Sequence, residues 1–332
     1  MMSMKALVFS TRKDEKSYLT DAFEASGHEV VFEEVHLNRK SAELAAGYDV
    51  VVVFVNDQLD EACIERLAQL NVKAVALRCA GYNNVDLDAA KQHGLSVVRV
   101  PAYSPYAVAE HALTLLMTLN RHVHKAYNRV REGNFLLDGL VGRDIHHKTV
   151  GVVGTGTIGS VFCQIMRGFD CRLLAFDPNP SQALIEQGVE YVTLDELFKQ
   201  SDFISLHCPL TPQTHHVVGQ RALALMKPSS MLINTSRGGL VDTKAVIDAL
   251  KKGELSGLAI DVYEEEADLF FEDQSNQVIA DDDLMRLMTF PNVIVTGHQA
   301  FLTEEALTNI AQTTADNLTC LEQTVSCENQ LV

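Results

Sequence analysis

The chain has 332 residues, 47% of them apolar and none of them tryptophan, with 44 acidic against 27 basic side chains. That length favours two domains of ordinary size over one, and the apolar share suits a helix-and-sheet globule with an ample core. A net charge of −17 with no dense basic run argues against nucleic acid or an anionic membrane surface as partner, so an anionic ligand would have to be drawn in by local cations.

Seven cysteines (Cys63, Cys79, Cys163, Cys171, Cys208, Cys320 and Cys327) are scattered, odd in number and without a C-x-x-C pair. That usage suits a reducing compartment better than a disulfide framework. The opening MMSMKALVFS has no long apolar stretch of a secretory leader, and no apolar run approaches membrane-spanning length. The expectation is a cytoplasmic protein.

In chain order, Met4 to Ser10 predicts a short buried strand, Asp14 to Ser26 a helix stopped by Gly27, and Val30 to Val35 a second strand. Tyr48 to Val55 (YDVVVVFV) is nearly all β-branched and predicts a central strand buried on both faces. A helix over Asp60 to Gln69, a strand over Ala74 to Leu77, a turn at Ala80–Asn84, a helix over Leu87 to His93 and a strand over Ser96 to Val100 follow. Strands alternating with helices imply a parallel sheet. Pro101–Pro105 reads as a boundary, with Ser104 as N-cap and Pro105 at the first position of one long helix ended by Gly133. That helix, 105–131, is apolar on more than one side and suggests a subunit contact as well as a core.

From Lys148 to Asp177 the chain reads KTVGVVGTGTIGSVFCQIMRGFDCRLLAFD. A β-branched strand runs into Gly154-Thr155-Gly156-Thr157-Ile158-Gly159, then a helix, then a strand closed by Asp177. This is G-x-G-x-x-G with a strand before, a helix after and an acid about 20 residues on, the pattern of a dinucleotide site. Gly154 permits the tight turn, Gly156 lets backbone approach a pyrophosphate, and Gly159 lets helix and strand pack closely. The phosphates would meet the free N–H groups and positive end of the new helix. A carboxylate at Asp177 can accept from both ribose hydroxyls of NAD and would repel the extra phosphate of NADP.

Helices are expected over Leu194 to Lys199, Gln220 to Leu225, Lys244 to Lys252 and Thr303 to about Glu322, with strands at Phe203 to Leu206, Met231 to Asn234, Leu258 to Val262 and Val293 to Val295. Phe270 to Asp283 looks like a long polar loop. Three strand ends run into chemically interesting segments, where ligands sit in such sheets. In Asn234-Thr235-Ser236-Arg237-Gly238-Gly239, a guanidinium leaves an apolar strand and can grip a carboxylate with two parallel hydrogen bonds. Asp261-Val262-Tyr263-Glu264-Glu265-Glu266 is an acidic turn, one carboxylate of which can orient a histidine. Thr296-Gly297-His298-Gln299-Ala300-Phe301 offers an imidazole that exchanges protons near neutrality.

These segments, with LRCAGYNNVDLDAAKQHGLSVVRVPAYSP, AEHALTLLMTLNR, SLHCPLTPQTHH, NTSRGGLVDT, DVYEEE and GHQAFLTEEAL, resemble the D-isomer-specific 2-hydroxyacid dehydrogenases essentially end to end. The FFEDQSN insertion resembles the fermentative NAD-dependent D-lactate branch. Many relatives carry Pro before the histidine, where this chain has Gly297. The resemblance implies that Arg237 binds the substrate carboxylate and polarises the keto oxygen, that His298 donates the proton to that oxygen, and that Glu266 holds His298 and favours its imidazolium. It implies NAD contacts at Thr157 and Ile158 for the pyrophosphate, Asp177 for the ribose, Cys208-Pro209, Thr214, Thr235, Ser236 and Arg237, and Asp261 near the nicotinamide amide. Ala80 and Gly81 would offer backbone N–H groups to the carboxylate with Tyr103 nearby, and Phe54 and Phe301 would wall the pocket.

The fold class implied is α/β, with two Rossmann-like or flavodoxin-like doubly wound parallel-sheet domains and a cleft between them. A discontinuous substrate domain would take 1–102 plus 300–332, and the NAD domain 103–299. The expected reaction is NADH-dependent reduction of pyruvate to D-lactate, in a homodimer or homotetramer built through the long helix. The alternatives are a larger 2-oxo acid, or a non-catalytic NADH-sensing corepressor-like binder. His207, His215, His216, His146 and His147 lack the spacing and acidic partners of a metal centre, so no metal is assigned. His111 is expected to pack inside the long helix.

Overall fold

The β-branched runs near the start of the chain become strands of one sheet. The structure is a computed structural model and describes residues 4–266, 269–323 and 327–332. The first three residues of the opening read for a leader, and residues 324–326 of the stretch assigned to the substrate domain, lie outside the described residues. The chain divides into two units, one running to Ser104 and resuming at Leu302, the other Pro105–Phe301. In the first, β1 (Lys5–Val8), β2 (Glu29–Phe32), β3 (Val50–Val53), β4 (Ala74–Leu77) and β5 (Ser96–Arg99) pair in parallel in the order β2-β1-β3-β4-β5. Every residue of β3 and β4 is buried, as valine-rich strands covered on both faces require. Helices α1 (Lys16–Ser26), α2 (Glu61–Gln69) and α3 (Leu87–His93) return the chain. Gly27 ends α1 at φ 76°, a left-handed position where a side chain would be strained. Asp60 and Asp86 cap α2 and α3 by accepting from Cys63 N and Ala89 N.

The second unit opens with α4 (Pro105–Arg121) and α5 (Val123–Arg131). Here the structure corrects the expectation of one helix over 105–131. His122 takes φ 53°, and just before it buried Asn120 exchanges hydrogen bonds with Arg143, Nδ2 to its carbonyl at 2.6 Å and Oδ1 from its N–H at 3.2 Å. This clamp fixes the end of α4, and α5 leaves it with no buried residue of its own. A parallel sheet then forms from β6 (Thr149–Val153), β7 (Arg172–Phe176), β8 (Glu190–Tyr191), β9 (Phe203–Leu206), β10 (Met231–Asn234), β11 (Gly257–Ile260) and β12 (Val293–Val295). Its order is β12-β11-β10-β9-β6-β7-β8, so the connections reverse direction between β6 and β9. The crevice outside those two carboxyl ends is where doubly wound sheets bind ligands. One face of the sheet is covered by α4 and α6 (Thr157–Arg167), packing Leu116 and Phe162 on Val150 and Ile233. The core on the other side takes in residues of α8 (Leu194–Gln200), α9 (Gln220–Leu225) and α10 (Thr243–Lys252).

Among the elements of this unit that were not expected are α7 (Gln182–Glu186), β8 and α11 (Asp282–Met288). The acids that made 270–283 look like loop are the start of α11. Asp281 caps it by accepting from Leu284 N at 2.8 Å, and Asp282 and Asp283 fill its first turn, where a helix dipole favours negative charge.

The terminal helix α12 (Glu304–Glu322) returns to the first unit and packs Ala311, Ala315 and Leu318 against Val8, Val52 and Ala76. Beyond it the chain end runs antiparallel along β5, with Leu331 N donating to Val97 O at 2.7 Å and Arg99 N to Asn329 O at 3.1 Å. That return sets the Cα atoms of Cys320 and Cys327 5.8 Å apart, and the two are joined as a disulfide. The cysteine count did not anticipate this pairing, because it depends on the tail folding back on the sheet. The other five cysteines form no disulfide among the described residues. Among the described residues no helix is long and apolar enough to cross a membrane.

Candidate active site

Neighbouring strands β10, β11 and β12 carry the three segments singled out above, so their loops emerge side by side. Strand spacing puts the first and third roughly 10 Å apart at their bases. Asn234, fully buried at the end of β10, shapes the first turn: its Nδ2 donates to Arg237 O at 2.8 Å and its Oδ1 accepts from Ser236 N at 3.0 Å. Ser236 Oγ donates to Cys208 O at 2.7 Å, tying this turn to the loop after β9. Arg237 is half-buried, donates Nη1–H to Ser236 O at 2.7 Å, and makes no ion pair among the described residues. A Cβ at Gly238 would collide with the backbone of Tyr263 and Glu264, so the first and second loops are in van der Waals contact.

The second and third loops meet through a charge pair. His298 Nδ1 lies 2.8 Å from Glu266 Oε1, and Glu266 Oε2 accepts from Tyr263 N at 2.8 Å. With Nδ1 facing a carboxylate it carries a proton, which leaves Nε2 open to a further partner. The Phe271 ring, from the insertion, lies 5.7 Å from the imidazole. His298 has φ 52° and its N–H donates to Asp261 O at 2.7 Å. Asp261 is fully buried: Oδ1 accepts from Thr296 Oγ1 at 2.5 Å and Gln299 N at 2.9 Å, and Oδ2 from Ala300 N at 2.7 Å. Burial works to raise its carboxyl, but hydrogen bonds from His111, Thr296, Ala300 and Gln299 prevail and hold it below the usual carboxylate range. This carboxylate, expected beside the nicotinamide amide, is turned into the 296–300 loop. His111 does more than pack in its helix, since its Nε2 lies 3.3 Å from Thr296 Oγ1 and 3.4 Å from Asp261 Oδ1.

At the switch between β6 and β9 the glycine motif has the geometry a dinucleotide requires. Gly154 takes φ 91°, and a Cβ there would stand 2.5 Å from Cys208 N. A Cβ at Gly159 would strike Gly154 O, whereas one at Gly156 would meet nothing within 4 Å, leaving backbone open to a phosphate. Helix α6 starts at Thr157 and Ile158 with no side-chain cap on its first N–H groups. Asp177 stands just past β7, its Oδ2 accepting from Thr155 N at 2.7 Å and Oδ1 from Asn179 N at 2.8 Å. Each oxygen keeps a lone pair for a ribose hydroxyl. Thr235 Oγ1 is buried without a hydrogen-bond partner, an acceptor and donor a cofactor can satisfy. Cys208 and Pro209 line the β9 end, and burial pushes the Cys208 thiol up to about 11, so it is an inert neighbour. Thr214 is engaged locally, Oγ1 donating to Pro209 O at 2.6 Å.

The remaining expected residues divide between the units. Phe301 closes the second and is 7% exposed. Phe54, Ala80, Gly81 and Tyr103 belong to the first. Phe54 follows β3 and lies beneath the guanidinium groups of Arg12, 4.6 Å from its centroid, and Arg78, 5.0 Å. Ala80 O accepts from Arg99 Nη1 at 2.8 Å. Three of the five histidines read as lacking acidic partners do have one: His216 Nε2 is 2.6 Å from Glu264 Oε1, and His146 and His147 face Asp170. Sequence spacing hid both, because the first pairing spans 48 residues. The His215 and His216 rings stack at 3.8 Å and 26°, and their ligand atoms lie with that of Glu264 within 4.8 Å of one another, as do those of His146, His147 and Asp170, so both clusters have the spacing of a metal centre that the sequence did not suggest.

A model of the D-isomer specific 2-hydroxyacid dehydrogenase NAD-binding domain matches residues 113–300. The chain is 54% identical to D-lactate dehydrogenase of Escherichia coli strain K12 across 99% of this chain and 100% of that one. The chain belongs to the D-isomer-specific 2-hydroxyacid dehydrogenases. Its fold superposes on the apo structure of the Escherichia coli D-lactate dehydrogenase with a TM-score of 0.92 at 51% identity, covering 99% and 100% of the two chains. It superposes on a pyruvate reductase of Chlamydomonas reinhardtii with a TM-score of 0.95 at 45% identity, covering 98% of each. As a 2-hydroxyacid dehydrogenase it is an NAD-dependent oxidoreductase, and its two parallel-sheet α/β domains are those of its relatives. Sequence reading did not find Thr296 or the part His111 plays in this loop. Their one available signal was a histidine at the start of a long apolar helix, which packing explains equally well.

Proposed function

We propose that this 2-hydroxyacid dehydrogenase reduces pyruvate to D-lactate, reversibly, in the cytoplasm. NADH, when bound, supplies the hydride that pyruvate C2 receives. Thr157, Ile158 and the backbone at Gly156 would hold the pyrophosphate, Asp177 the ribose, and Thr235 and Ser236 would add further cofactor contacts. The planar fork of Arg237 grips the substrate carboxylate and polarises the keto oxygen. His298 Nε2 gives its proton to that oxygen in reduction and recovers it in oxidation, while Glu266 on Nδ1 stabilises the imidazolium between turnovers. Proton and hydride together convert the ketone to the alcohol, so the equation balances.

The observation that carries this reading is the Glu266–His298 pair at 2.8 Å, on a strand two places from Arg237 in the sheet. The relatives named above support pyruvate as the oxo acid. At 32% identity the chain also resembles a D-2-hydroxyisocaproate dehydrogenase, which keeps a larger oxo acid as the second reading. Comparing kcat/KM for pyruvate, phenylpyruvate and 2-oxoisocaproate separates them; weaker turnover of pyruvate than of either rival ends the lactate assignment.

A second copy of the chain fits the run Phe135-Leu136-Leu137, 65–78% exposed, with Val141 at 87% and α5 beside it. Apolar surface this continuous is characteristic of an interface. Light scattering should therefore report a dimer or tetramer, and Leu137→Glu should shift it toward monomer. A monomeric parent chain would refute the contact.

A further inference from the structure

His111 stands on α4, nearly 200 residues before His298, yet its ring reaches the loop that carries the imidazole. The hydrogen bonds there have an order. Thr296 Oγ1 gives its proton to Asp261 Oδ1 at 2.5 Å, so its remaining capacity is to accept. His111 Nε2, 3.3 Å from that hydroxyl and 3.4 Å from the same carboxylate oxygen, must therefore be the donor. Among the described residues Asp261 is its one charged partner.

Asp261 in turn accepts from Gln299 N and Ala300 N, on the far side of His298, and its own carbonyl accepts from His298 N. One buried residue thus holds the loop at Thr296, His298, Gln299 and Ala300, and His111 is the outermost donor to it. The loop needs such over-determination, because His298 sits at φ 52°, where a side chain is strained.

We propose that His111 is a positioning residue of the reaction, acting through Thr296 and Asp261 to fix the turn on which His298 meets Glu266. It touches neither substrate nor cofactor in this role. The inference rests on His298 being the proton donor proposed above. Removing the donor leaves a fully buried carboxylate with one hydrogen bond fewer and lets the turn relax. A displacement of a fraction of an ångström at a proton-transferring atom is enough to slow turnover.

The test uses the full-length enzyme. His111→Phe keeps an aromatic ring and removes the N–H, and His111→Gln restores an amide donor. His111→Phe should lower kcat for pyruvate on the order of 10-fold with NADH affinity within a factor of about two, and move the alkaline limb of the pH profile to lower pH. His111→Gln should recover most of both. Thr296→Val should reproduce the loss, and the double variant His111→Phe/Thr296→Val should be no worse than the poorer single one. A folded His111→Phe enzyme with the parent kcat and pH profile overturns the proposal, as do losses that multiply in the double variant. Should His111→Phe fail to fold, Thr296→Val decides alone, and a parental pH profile there is fatal. His298→Ala separates the two layers: full turnover in that variant removes the proton-donor reading itself, whereas an inactive His298→Ala beside a normal His111→Phe removes only the positioning role.

Discussion

At the scale of single residues, the chemistry depends on what each side chain's far end is doing. His298 has Nδ1 committed to Glu266, so Nε2 is the atom that the proposed reaction makes the proton donor. His298→Ala should lower kcat on the order of 10²–10⁴-fold, the usual range for a removed general acid, measured by NADH oxidation with saturating pyruvate. Glu266→Gln keeps the shape of the pair and deletes the charge that favours imidazolium, so the alkaline limb of pyruvate reduction should move to lower pH; an unmoved profile would show that the pair is structural. Arg237→Lys retains a cation but loses the two-pronged fit to a carboxylate, so KM for pyruvate should rise and kcat fall. Asp177 accepts backbone N–H groups at 2.7 and 2.8 Å, and in the proposed reading its remaining lone pairs meet the ribose. Asp177→Ala should therefore raise the NADPH/NADH ratio of kcat/KM, chiefly by ending repulsion of the 2′-phosphate.

Elements show where the amino-acid pattern carried the fold and where it did not. Strands such as β3 and β6 were legible because β-branched runs bounded by turn residues have few other uses. The glycine motif was legible for a related reason: each glycine answers to a separate contact, Gly154 to Cys208, Gly159 to Gly154, Gly156 to open space. Gly159→Ala should accordingly weaken NADH binding by prising α6 from the turn, measurable by quenching or calorimetry, while a Gly156→Ala chain should fold normally and lose affinity only when phosphate must approach. The break at His122 was illegible, since nothing in an apolar-periodic run announces that Asn120 will be clamped by Arg143. The start of α11 was misread because three aspartates look like a solvated loop unless their place at a helix N-terminus is known. Arg237, Glu266 and His298 were proposed from type and from position after strands, and the structure brings Glu266 to His298. The bonds that hold them, from Asn234, Asp261 and Tyr263, were not legible, because each involves a backbone atom that a residue pattern does not encode, and those from Asp261 also cross between loops.

For the whole molecule, two units with separate cores carry different acid-sensitive groups. In the second unit burial holds the His207 imidazole down to about 3; its Nε2 bonds Ser205 Oγ at 2.9 Å and its Nδ1 is buried without a partner. Burial also lowers His122 and His124 there. The first unit has one such histidine, His28, and a Glu15 carboxyl that burial would raise but Arg78 and Arg12 hold below its ordinary value. The signs follow from linkage. A histidine that stays neutral when folded and gains a proton when unfolded makes stability fall with pH, from about 6.5 downward, by about 1.4 kcal/mol per pH unit for a group as shifted as His207. A depressed carboxyl keeps its full contribution above its unfolded value near 4.3 and loses it only as pH falls further. Between about pH 6.5 and 4.5 the second unit should therefore lose stability faster than the first. Thermal unfolding followed by cofactor-site probes should drop earlier in that window than unfolding followed by probes in the first unit, and His207→Gln should flatten the slope. Identical pH slopes for both units, or a slope untouched by His207→Gln, would place the acid sensitivity elsewhere.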